Sequence, residues 1–82
     1  MYNIQMSPTL FRLGNIRIVI HTKEHKPAHV HIVGPDAEAK IELKTWRVVG
    51  CYGFSEKAIN LIIEFLQAHE GELMEAWNEI HE

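Results

Sequence analysis

The chain has a single cysteine in 82 residues, only 9% aromatics, and no lysine or arginine beyond Lys57. Each scarcity excludes something. Cys51 alone can form no internal disulfide and supplies no paired-cysteine metal or redox motif, which fits a reducing compartment. A buried or half-buried thiol is expected there, since no histidine or arginine adjoins it to activate it. No segment approaches the roughly 20 apolar residues that cross a bilayer, and the chain start lacks the basic, apolar, small-residue order of a secretory signal. A cytoplasmic protein without membrane association is therefore expected.

The length predicts one domain over residues 1–82 with a single core, small enough that a homodimer or a bound partner is compatible with its stability. The net charge of −3 hides a segregation. Residues 1–57 hold all eight basic side chains against five acids, whereas residues 58–82 hold six glutamates and no Lys or Arg. Such a pattern belongs to a solvated acidic helix face, or steers a basic partner to the helices or an anionic one to the sheet.

Thr9 to Leu13 and Ile16 to His21 read as two strands joined at Gly14-Asn15, a pair that tolerates the positive φ of a tight hairpin turn. Ile16, Ile18 and Ile20 alternate with Arg17, Val19 and His21. The alternation recurs as Val30 and Ile32 against His29 and His31, then as Ala39, Ile41 and Leu43 against Lys40, Glu42 and Lys44. One apolar face per strand predicts an antiparallel meander covered on one side only. Gly34-Pro35-Asp36-Ala37 is turn chemistry. Pairing Gly34 with Ala37 sets His31 opposite Lys40 and His29 opposite Glu42, the register that keeps all apolar residues on one face. The His29–Glu42 pair is expected on the face away from the helices.

Arg47-Val48-Val49 predicts a short fifth strand, after a turn near Thr45-Trp46 that would expose the indole as a contact surface. Ser55 is the expected N-cap of a helix with Glu56 in its first turn. Ile59, Ile62, Leu66, Leu73, Trp77 and Ile80 then recur at helical spacing, with Trp77 as a core anchor. Gly71 weakens a helix interior by about 1 kcal/mol, so two helices meeting near Glu70-Gly71 are expected, with His69 at a helix end. The predicted fold class is α+β: an antiparallel four- to five-stranded meander sheet at about 9–50, with one or two C-terminal helices at about 55–81 packed on one face.

The chemistry concentrates in Glu24-His25-Lys26-Pro27-Ala28-His29-Val30-His31, where half of the six histidines surround a proline. Proline fixes its own φ and biases Lys26 toward extended backbone, so a loop carrying His25 feeds a strand beginning near Ala28. His29 and His31, two apart, share a face of that strand. With His25, and with His21 or Glu42 as further donors, they form a candidate set for zinc or another transition metal, although the pattern itself demands no cofactor. The same His25, His29, His31 and Glu42 are candidate catalytic residues without metal. An imidazole oriented by Glu42 would take a proton from a ribose hydroxyl, while Arg17, Lys40 or Lys44 stabilises the phosphate. A pI near 6.0 and the lack of a base-stacking platform argue against a dedicated RNA-binding surface. The bland alternative is solvated or hydrogen-bonded structural histidines at a strand edge or partner interface.

Taken together, these segments resemble the small prokaryotic family known only as domain of unknown function 4160. Its pattern is a short hairpin, then D/E-H-x-P-P-H-x-H, E-A-K-I/V, a glycine-led helix start, and H-x-x-E-L-x-x-x-W. Here these read Glu24 to His31, Glu38-Ala39-Lys40-Ile41, Gly53 to Ala58, and His69-Glu70-Gly71-Glu72-Leu73 followed by Trp77. The likeness runs from about Ser7 to Trp77, with Ala28 in place of the second proline and Trp46-Arg47 where a plainer turn is usual. The resemblance implies a component of a two-gene toxin–antitoxin-type module, with a protein partner of the domain of unknown function 2442 type. It carries over no catalytic residue. The expected function is thus work through a protein partner with a histidine-rich sheet surface; the alternative is a small ribonuclease or metal-dependent hydrolase.

Overall fold

A computed structural model describes residues 9–21 and 25–81. Glu24 of the histidine motif and Ser7, where the family likeness begins, lie outside the described residues. The sheet is a five-stranded antiparallel meander in the order β1 (Thr9–Leu13), β2 (Ile16–Val19), β3 (His29–Gly34), β4 (Ala37–Glu42) and β5 (Val48–Tyr52). Two helices follow, α1 (Glu56–Ala68) and α2 (Glu70–His81). The α+β class and the meander are as the alternation predicts.

Turn chemistry sets the register. Gly14, at φ 64°, begins the two-residue turn that pairs Leu13 with Ile16. Pro35 and Asp36 close the β3–β4 hairpin, Asp36 taking φ 57°, and Gly34 pairs with Ala37. His31 then faces Lys40, and His29 faces Glu42. Ile18, Ile20, Val30, Ile32, Ala39, Ile41 and Leu43 are buried from the sheet against Ile59, Ile62, Leu66, Leu73 and Trp77 from the helices. Each large aliphatic side chain in this layer contributes roughly 1.5–3 kcal/mol by leaving water.

The opposite face departs from the one-sided expectation. Val19 and His29 lie on it, and both are buried, His29 at 3% exposure. The imidazole of His29 sits 5.2 Å from the indole of Trp77, ring centre to ring centre. The His29–Glu42 register therefore holds, but the His29 end of this face is not turned away from the helices: α2 reaches it through Trp77.

Strand β5 runs three residues past its expected end, to Tyr52. Between Lys40↔Gly50 and Ile41↔Val48 the pairing slips, leaving Val49 as the extra residue of a bulge. The chain can then turn closely at Gly53, φ 82°, where a Cβ would collide with the main-chain oxygen of Asp36 and with Ala37. Glycine is required there for both reasons. Ser55 caps α1, its hydroxyl accepting from the Ala58 amide at 3.0 Å. The helices divide at His69, the C-cap of α1 and one residue before the expected Glu70-Gly71 junction, and Gly71 lies inside the first turn of α2.

Two further expectations are corrected. Trp46 is half-buried against the core instead of forming an exposed contact surface, because its positive φ of 61° folds the 43–47 loop back on itself. The Trp46 amide donates to Glu42 O, and the Glu42 amide to Arg47 O. Cys51 is exposed instead of buried, because β5 is an edge strand.

Candidate functional site

The proline turn splits the histidine motif. His25, exposed, precedes a cis Lys26–Pro27 peptide, and the chain enters β3 at His29. The Nδ1–H of His29 is positioned to donate to the Pro27 carbonyl at 2.9 Å, which fixes the ring back against its own turn. His31, two residues on, is half-buried with Nδ1 3.6 Å from a Glu38 carboxylate oxygen. Its ring centre lies 5.3 Å from that of His29 and 4.1 Å from that of His21. Period-two alternation brings the His29 and His31 imidazoles together, and the Val19↔His31 pairing brings in His21.

Trp77 and His81 extend this row from α2. Their rings stack at 3.8 Å, with Trp77 also against His29. His81 closes the circuit, its Nε2 3.0 Å from the main-chain oxygen of His21. The sequence marked Trp77 as a core anchor, which it is, at 2% exposure. It gave no sign of the meeting with His29 and His81. The i, i+4 spacing of Trp77 and His81 on one helix face was the available signal.

A cleft of about 170 Å³ opens beside the row, lined by His25, Lys26, Pro27, His29, Lys40, Glu42 and Val49. Three of the four candidate catalytic residues, His25, His29 and Glu42, border it, whereas His31 lies on the His21 side. Glu42 is engaged by its own loop: the Thr45 hydroxyl donates to it at 3.0 Å, and Arg47 stands 3.8 Å away. Among the described residues no group of three or more His, Cys, Asp or Glu side chains is arranged to hold a metal ion. In this arrangement His25, His29 and His31 are a row and a rim instead of a convergent ligand set. Chemically, the cleft offers two ammonium groups and an accessible imidazole to an anion.

An antiparallel α+β meander with a histidine row backed by a C-terminal tryptophan is the class that fold and site define. The chain belongs to the family described as Domain of unknown function (DUF4160), whose model matches residues 15–78. That span takes in the cleft and Trp77 and stops short of His81. No match was found among curated proteins or among solved structures. No helix among the described residues is long and apolar enough to cross a membrane.

Proposed function

We propose that this protein acts through a protein partner, as one component of a cytoplasmic toxin–antitoxin-type module, and that the partner docks on the edge of the sheet at β5. One observation carries the reading. All five residues of β5 are exposed, with Val48 at 37%, Val49 at 43% and Tyr52 at 63%. The strand carries no charge and no proline, two of the devices by which sheet edges ordinarily avoid association, and keeps only the Val49 bulge of a third kind. An uncharged edge with aliphatic and aromatic side chains on both faces supports a role as a contact surface. Co-expression with the product of the neighbouring gene tests it. The two proteins are expected to co-purify, and expression of the chain alone is expected to alter growth differently from expression of the pair. Failure to co-purify would refute the reading.

The cleft favours a second reading, a small ribonuclease or hydrolase. His25 would act as acid or base, with Lys26 and Lys40 holding the phosphate. Under it, His25→Ala would remove activity by about 10²–10⁴-fold with partner binding intact. A phenotype that follows partner binding alone would refute it.

A further inference from the structure

We infer that β5 takes an extended, acidic segment of the partner as a sixth strand, with Lys40 reading a carboxylate on that segment across Gly50. This rests on the partner reading above and adds the mode and the chemistry of contact. Lys40 pairs with Gly50, so both lie in one row of the sheet, with Gly50 on the open edge. A Cβ built on Gly50 would meet nothing within 4 Å. A strand added outside β5 would place its residue about 10 Å from the Lys40 backbone, two strand spacings away. A lysine and a glutamate together span that distance over a residue with no side chain. Any larger residue at position 50 would stand between them.

The charge around this row selects the occupant. Lys26, Lys40 and the exposed His25 line the cleft, and the Val49 bulge forms its wall on the β5 side. The single carboxylate there, Glu42, already holds Thr45 and faces Arg47. The ion pairs among the described residues involve neither lysine. A neutral, apolar edge flanked by unmatched cations complements a strand that alternates apolar and acidic side chains. A second copy of this chain fits less well. Pairing of β5 about Gly50 would bring two Lys40 side chains to one row with no anion between them.

The test uses two synthetic peptides of about ten residues, one alternating valine or threonine with glutamate and the other with lysine, titrated into the full chain by fluorescence anisotropy. The acidic peptide is expected to bind at least about tenfold more tightly at low salt, with the preference shrinking as salt rises. Lys40→Glu is expected to invert the preference. Gly50→Glu, which enters open space, is expected to abolish it by offering Lys40 a carboxylate in cis while the chain stays folded. Equal binding of both peptides, or a preference unmoved by Lys40→Glu, would overturn the inference. So would binding of a single-stranded oligouridylate in place of the acidic peptide, or self-association that excludes it. None of these outcomes bears on whether the neighbour-encoded protein co-purifies, so failure of this inference and failure of the partner reading are separately visible.

Discussion

The Nε2 of His81 lies 3.0 Å from the carbonyl oxygen of His21, sixty positions earlier, and its Nδ1 lies 3.1 Å from the carbonyl of Trp77 in the preceding turn. Carbonyl oxygens only accept, so the ring nitrogen that carries the N–H donates to the carbonyl it faces. The last residue of α2 is thereby tied to the segment that follows β2, and Trp77 packs against both the His81 and His29 rings. His81→Ala is expected to lower stability by about 1–2 kcal/mol through the lost bond and stack. Amide exchange should rise most through the last turn of α2, with a smaller rise in α1; exchange unchanged at both would show the tie to be idle.

Trp77 is the larger test of the same corner. It is buried in the core and supports His29 at once. Trp77→Ala should cost roughly 3–5 kcal/mol, a large share of the 5–15 kcal/mol typical of a small domain. Denaturant melts decide it. A variant that melts as the parent does would place Trp77 in an interface instead of the core.

Much of this arrangement was legible in the sequence, for reasons that differ by element. Alternation and the Pro35-Asp36 turn specify the β3–β4 register because a one-residue slip would turn every isoleucine outward. The α1 cap and the buried stripe of both helices follow from Ser55 and helical spacing. The full length of β5 is not legible because glycine is disfavoured in strands, whereas Gly50 pairs with Lys40 and Gly53 makes a close approach to the β3–β4 turn. The burial of Trp46 depends on a left-handed backbone that propensity does not favour for tryptophan. The histidine row was half visible: spacing joined His29 to His31, but its contact with α2 joins residues far apart in the chain, which no local pattern encodes.

Metal dependence follows from geometry. Since the described residues gather no three-ligand set, the melting temperature is expected to be the same with and without chelator. Stoichiometric zinc in the purified protein, with a lower melting temperature on chelation, would show that His25, His29 and His31 converge on a metal after all.

Charge reversal separates the two sides of the molecule. Glu64, Glu72, Glu75 and Glu79 are exposed on the helices, whereas β5 carries no charge. Replacing Glu75 and Glu79 by lysine should leave partner affinity within about twofold, as for charges remote from the contact. A large loss of affinity, with its salt dependence flattened, would move the docking surface to the helices.

The proposed docking at β5 is read out by amide hydrogen exchange across Val48–Tyr52, measured on the chain alone and with the proposed partner bound. Strand β5, exposed on its outer side in the free chain, is expected to gain strong protection in the complex while the outer faces of α1 and α2 do not. A complex that forms with β5 exchange unchanged, its protection falling on the helices, would contradict it.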